Sequence, residues 1–175
     1  MEFNNYNSLQ YNAMLAGTYL GIFFILKFPF LPLGLGNPFF YLLFVVMTFA
    51  VPFLMYYYGR MFREKCCGGH IRFFTAWLFL LLTFVFASLL VAVAHYIYFR
   101  YVDGGYILGK VSEAMNAMKG NPVFPKEYNV QMSAMLNEMS SLSPIKIVFQ
   151  LISQNVIYGN ILSLIVALFV MKRPK

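Results

Sequence analysis

Four long tracts of apolar residues limit what this chain can fold into. They lie at residues 11–31, 39–58, 73–99 and 145–171. A helix rises about 1.5 Å per residue, so about 20 residues cross the ~30 Å hydrocarbon core of a bilayer. Because every tract reaches that length, the sequence predicts four transmembrane helices and an all-α, polytopic membrane protein.

The composition also excludes an ordinary soluble domain. Hydrophobic residues make up 61% of the 175 residues and charged residues only 11%, whereas about a quarter of a soluble domain is charged. Too little polar material remains to cover a water-exposed surface. With no internal repeat, we expect one domain over residues 1–175.

The uneven distribution of basic residues predicts the orientation. The net charge is +7, and much of it lies between the second and third tracts and at the C-terminus. Four spans place these segments on one side, which the positive-inside rule makes cytoplasmic. We therefore expect a bacterial inner-membrane protein with both termini in the cytoplasm, whose basic charge contacts lipid headgroups rather than nucleic acid. The basic residues are Arg60, Arg63, Lys65, Arg72, Lys172, Arg173 and Lys175.

The segment 104–142, between the third and fourth tracts, is amphipathic rather than uniformly apolar. Two short stretches in it repeat apolar residues at helical spacing. They predict two outer helices that lie on the membrane surface or cap the bundle. The apolar positions are Ile107, Val111, Met115 and Met118 in the first stretch, and Met132, Met135, Leu136 and Met139 in the second.

The same segment begins with GGYILGKV, which resembles a phosphate-binding loop. Such a loop follows a strand and ends in Ser or Thr, but here a predicted membrane helix precedes it and Val111 takes the last position. We interpret Gly104 and Gly105 as the left-handed residues that end that helix.

Small residues recur at every fourth position on three predicted helices. Helices associate in lipid through such close-approach stripes and a few interhelical hydrogen bonds. We therefore expect the stripes to face the bundle interior, and the bulky second helix to be the most lipid-exposed. The stripes are Ala13, Gly17 and Gly21; Thr83, Ala87, Val91 and His95; and Asn155, Gly159, Ser163 and Ala167, with Ser153 and Asn160 beside the last.

Three features could carry chemistry. His95 is an ionisable residue within a span, a common functional position; we expect it to hydrogen-bond across the bundle to Asn155 or Ser153. Residues 66–70, CCGGH, offer two thiols and an imidazole as possible metal ligands. Adjacent cysteines, however, lack the two-residue spacer of a zinc site. We therefore interpret this stretch as a loop with reduced thiols, and metal binding or redox sensing is the alternative. The outer methionines could bind Cu(I), although they pack apolar surfaces equally well. We expect no bound cofactor or metal.

Two stretches resemble a known family. They are HYIYFRYVDGGYI at 95–107 and SPIKIVFQLISQNVIYGNILSLIVALFVMK at 143–172. Both are similar to the bacterial membrane family named domain of unknown function 4199. The resemblance implies four spans with an amphipathic outer segment between the third and fourth, and it implies no activity.

The functional expectation follows from what the spans lack. None of the four predicted spans contains Asp or Glu, which argues against an enzyme or a proton-coupled transporter. We expect a non-enzymatic membrane protein that acts through helix or surface contacts with a membrane-protein partner or a second copy. One alternative is a small oligomeric permease lined by Ser153, Asn155 and Asn160. A weaker one is copper handling by the outer methionines.

Overall fold

The computed structural model describes residues 3–119 and 126–173, and nearly all of them are helical. A π-helical turn, Tyr98–Val102, extends the fourth of seven α-helices in this part of the chain. The helices are α1 Phe3–Lys27, α2 Phe30–Gly34, α3 Pro38–Cys66, α4 Phe73–Ile97, α5 Tyr106–Lys119, α6 Lys126–Ser140 and α7 Pro144–Val170.

Among the described residues, four helical segments are long and apolar enough to cross a membrane, which confirms the all-α polytopic fold. The first two segments differ most from the predicted tracts. The first segment bends between α1 and α2, at Phe28 and Pro29, because proline interrupts the helical hydrogen bonds. The helix α3 continues past residue 58 because Arg63 and Lys65 suit the negative end of the helix dipole. The segments are Leu9–Gly34, Pro38–Cys66, Phe73–Val102 and Pro144–Val170.

The central element of the bundle is α4. It packs extensively against α1 and against α7, while α3 contacts all three. The span formed by α3 is the least buried of the four, at 11%, as the sequence predicted. The outer helices α5 and α6 pack against each other.

One end of the bundle is tied together by backbone hydrogen bonds, and we call it the closed end. There the loop 67–72 meets residues 171–173. The amide of Ile71 donates to the carbonyl of Lys172 at 2.9 Å, and the amide of Lys172 donates back at 3.0 Å. The guanidinium of Arg63 donates to the carbonyl of Val170 at 2.8 Å, which satisfies a free acceptor at the end of α7.

The opposite end, where α2, α5 and α6 lie, is the open end. The buried residues of α3 are Val51, Met55, Gly59 and Phe62, and all but Val51, which lies one residue before the midpoint, are in the half that approaches the closed end. In the other half, large side chains such as Phe49 are exposed. The core is therefore densest at the closed end.

Candidate functional site

The predicted stripes of the first and third spans meet in a close contact between α1 and α4. Ala13, Gly17 and Gly21 of α1 are all buried. A Cβ atom at Gly17 would lie 2.8 Å from the carbonyl oxygen of Thr83 and 2.7 Å from the Cβ of Phe86. These distances are shorter than atoms can approach, so only glycine allows α1 and α4 to pack this closely.

The stripe of the fourth span packs on another side of α4. Gly159 lies under the ring of Phe84, where a Cβ atom would approach to 2.5 Å. Ser163 and Ala167 are each 0% exposed. The hydroxyl of Ser163 has no hydrogen-bond partner among the described residues, whereas that of Thr83 donates to the carbonyl of Phe79 at 2.9 Å.

Asn160 makes a hydrogen bond between two spans. Its side-chain oxygen accepts from the indole nitrogen of Trp77 at 3.0 Å, in a half-buried position. Such a bond ties α7 to α4 where water is scarce. The polar group of Asn160 is thus committed to helix packing.

Ser153 and Asn155 lie in different environments. Ser153 is exposed, and its hydroxyl donates to the carbonyl of Phe149 in its own helix at 2.9 Å. Asn155 is half-buried. The structure therefore does not bring Ser153, Asn155 and Asn160 into one polar face of a single copy.

Two exposed glutamines on α7 were not predicted as part of a site. Gln150 and Gln154 are spaced by four residues, so they share one face of the helix with Ser153. That face points away from α4, opposite the side of Gly159. The spacing of four residues is visible in the sequence and predicts that the two glutamines share a face. The direction of that face depends on how α7 packs against α4.

His95 is buried, 7% exposed, and its neighbours differ from those expected. Its ring lies against Phe28, with centroids 4.2 Å apart. Among the contacts of the described residues, there is no hydrogen bond from His95 to Ser153 or Asn155. The reason is geometric, because the corner between α1 and α2 covers the ring while Ser153 faces outward.

The sequence of this four-span chain matches a known protein family. The sequence model of a family described as protein of unknown function, DUF4199, matches residues 15–172. The chain belongs to the DUF4199 family. This match includes all four membrane segments except the first residues of the first, and it confirms the resemblance of the segments at 95–107 and 143–172. No match was found among curated proteins or among solved structures.

In this DUF4199 protein, the loop that resembles a phosphate-binding site is a helix start. Gly104 and Gly105 have positive φ angles of 51° and 84°. The carboxylate of Asp103 accepts from the amides of Gly105 and Ile107 at 3.1 and 3.2 Å. Asp103 therefore caps α5. The ammonium group of Lys110, the lysine of the apparent motif, forms an ion pair with the carboxylate of Glu113 at 2.8 Å.

The cysteine loop offers an incomplete set of metal ligands. The thiols of Cys66 and Cys67 are free, and Cys66 is exposed. Burial and the neighbouring Cys66 raise the pKa of the Cys67 thiol, which disfavours the thiolate that binds metals. No group of three His, Cys, Asp or Glu residues lies close enough to hold a metal in the described part of the chain.

The outer methionines are only partly described. Met115 of α5 is half-buried and Met135 of α6 is 58% exposed. The side chains of Met118, Met132 and Met139 lie outside the described residues. Their prediction as apolar packing or copper ligands therefore stays a prediction.

Proposed function

We propose that this DUF4199 protein is a non-enzymatic membrane protein that acts by lateral association of α7 with another transmembrane helix. The observation that supports the proposal is the exposed amide of Gln154 near the middle of α7. The helix has 27 residues, so its midpoint is Ile157. Gln154 lies three residues away, or about 5 Å along the axis.

An amide at this depth needs a hydrogen-bond partner. Polar groups in hydrocarbon cost several kcal/mol when left unsatisfied, and glutamine side chains hydrogen-bond across helices in membranes. The opposite side of α7 is already occupied by α4, where Gly159 contacts Phe84. The face of Gln150, Ser153 and Gln154 is thus free to meet a helix from outside the chain.

The chemistry of this face favours a second copy of the chain. A glutamine amide both donates and accepts, so two identical amides satisfy each other across a twofold axis. Each interhelical hydrogen bond of this kind contributes about 0.6–1.7 kcal/mol in a membrane. Gln150 and Gln154 together, one turn apart, make the contact specific.

We also propose that the closed end lies in the bacterial cytoplasm. Arg60, Lys65, Arg72, Lys172 and Arg173 are exposed there, as the positive-inside rule favours. Labelling of Cys66 by a membrane-impermeant maleimide tests the orientation. It should occur in inverted vesicles and not in intact cells.

Crosslinking tests the association. In a background carrying Cys66→Ser and Cys67→Ser, the Gln154→Cys variant should form a disulfide-linked dimer in native membranes. In mild detergent, native mass spectrometry should find the unmodified protein as a dimer. The Gln154→Leu variant should shift that equilibrium towards the monomer by about eightfold to three-hundredfold, corresponding to the two reciprocal hydrogen bonds lost per dimer.

Ile157→Leu is the matched control, because it changes an exposed side chain of the same face without removing an amide. It should leave the dimer intact. If a different membrane protein is found bound at α7, the proposal of lateral association holds, but the partner is that protein and not a second copy of the chain. A monomer without any partner, unchanged by Gln154→Leu, contradicts the proposal.

The oligomeric permease remains the second hypothesis, supported by the same exposed polar face. An oligomer built around α7 could line a path with Ser153, although Asn160 is held by Trp77. Solute flux in reconstituted vesicles that Ser153→Leu abolishes would favour the permease. Titration of the purified protein with Cu(I) tests the weaker hypothesis of copper handling. That hypothesis requires Cu(I) to bind in a fixed ratio to the protein.

A further inference from the structure

The outer helices α5 and α6 enclose a cleft of about 270 Å³. Leu108 lies at one end, six residues after the last residue of the span that ends at Val102. Ser140 lies four residues before Pro144, where α7 begins. The cleft therefore opens close to the level where both spans leave the bilayer.

The described wall of the cleft is neutral and rich in hydrogen-bonding groups. Both helices contribute at helical spacing, so the groups converge on one space. Leu108 and Leu136 add an apolar patch between them. The polar wall residues are Ser112, Asn116, Ser133, Asn137 and Ser140.

We infer that this cleft binds a single neutral sugar ring, either free or as the headgroup of a glycolipid. Serine hydroxyls and asparagine amides both donate and accept, which matches the hydroxyl groups of a hexose. The leucine side chains match the apolar face of the ring. The sugar would hydrogen-bond to Asn116 and Asn137, whose side chains are exposed at the cleft.

Charge and size favour this ligand over others. An anionic ligand needs Lys or Arg in the wall, and a cation needs Asp or Glu, but the described wall residues include neither. The nearest ion pair, Lys110 with Glu113, is internally neutralised. The volume is near the lower limit of about 300–1,000 Å³ for small-ligand pockets, which suits one ring better than a peptide segment.

Hydrogen–deuterium exchange of the full-length protein in phosphatidylcholine nanodiscs tests the inference. One arm adds glucose, galactose or N-acetylglucosamine in solution. The other arm includes a monoglucosyl diacylglycerol in the nanodisc. At least one arm should protect amides in 106–117 and 131–142, and the arm that does so distinguishes the free sugar from the glycolipid.

Asn116→Leu and Asn137→Leu should each weaken the protecting ligand by about threefold to tenfold, the effect of one neutral hydrogen bond. Gln131→Leu is the matched control, because Gln131 is exposed on α6 outside the wall, and it should bind as the unmodified protein does. Circular dichroism checks that each variant remains helical.

Three results would overturn the inference. The first is that neither arm protects the amides of the cleft. The second is that Gln131→Leu weakens binding as much as Asn137→Leu does. The third is protection by phosphatidylglycerol nanodiscs without any protection by the sugars, which would mean an anionic ligand.

Discussion

The closed and open ends of the bundle are built from similar apolar residues but packed differently. At the closed end, the rings of Phe62 and Phe79 stack at 4.2 Å with an interplanar angle of 2°, and Gly59 lies against Val170. In the half of the same helix towards the open end, Phe39 and Phe49 are 61% and 71% exposed. Apolarity thus does not decide burial in this chain.

The difference follows from the solvent. In a bilayer, lipid tails solvate Phe49 as well as another side chain would, so close packing of helices requires complementary shape rather than hydrophobicity. At the closed end, Gly59 allows close packing against Val170, and Arg63 and Ile71 make hydrogen bonds to the backbone at the end of the chain. The open end leaves surface for other molecules, and it carries the cleft between α5 and α6.

The largest expected effect is the loss of the aromatic stack. Phe62→Ala should destabilise the protein by about 3 kcal/mol, because it removes a buried ring and leaves a cavity. Phe49→Ala, in the half of α3 towards the open end, should change stability by less than about 1 kcal/mol, because Phe49 is 71% exposed. Chemical denaturation in mixed micelles measures both. Equal losses would show that the two ends are packed alike.

The next effect concerns the helix contact that joins the two ends. Gly17→Leu should cost about 1–3 kcal/mol, because the new side chain meets the backbone of α4. Gly109→Leu has open space around it and should be neutral or slightly stabilising, since leucine favours a helix. Thermal unfolding of the two variants compares them, and a stable Gly17→Leu would disprove the close contact.

A smaller effect of opposite sign is expected at Ser163. Its buried hydroxyl has no partner among the described residues, so Ser163→Ala should stabilise the protein by about 1 kcal/mol. Ser88→Ala is the control, because the Ser88 hydroxyl already donates to the carbonyl of Val85 at 2.9 Å. A loss of stability in Ser163→Ala would indicate that the hydroxyl is satisfied.

The smallest effect is expected in α5, at the open end. The hydrogen bond from Lys110 lowers the pKa of Glu113 below its ordinary value of 4.5 and the pair raises the pKa of Lys110. The contribution is therefore present at neutral pH and lost as the pH falls through the lowered pKa of Glu113. Because both groups are exposed, it is small.

Amide exchange in α5 checks this pH dependence. Glu113→Gln should exchange slightly faster than the unmodified protein at pH 7, and the two should become equal in acid. A difference that persists in acid would mean that Glu113 contributes by something other than its charge.

Several features of the bundle were predictable because they depend on local chemistry. The spans follow from tract length, and Gly17, Gly21 and Gly159 were identified from their four-residue spacing. Gly104 and Gly105 were identified as a turn, and both have positive φ. The partner of His95 was not predictable, because it depends on where Phe28 lies after the chain bends at Pro29.

The sequence alone determined that this chain crosses a bilayer four times, since hydrocarbon accepts only long apolar helices with all backbone groups satisfied. Tertiary structure decided which side of each helix is used. It directed Asn160 to Trp77, Gln154 outward and the polar sides of α5 and α6 towards each other. Those directions depend on how closely neighbouring helices approach, and a one-dimensional pattern does not contain that distance.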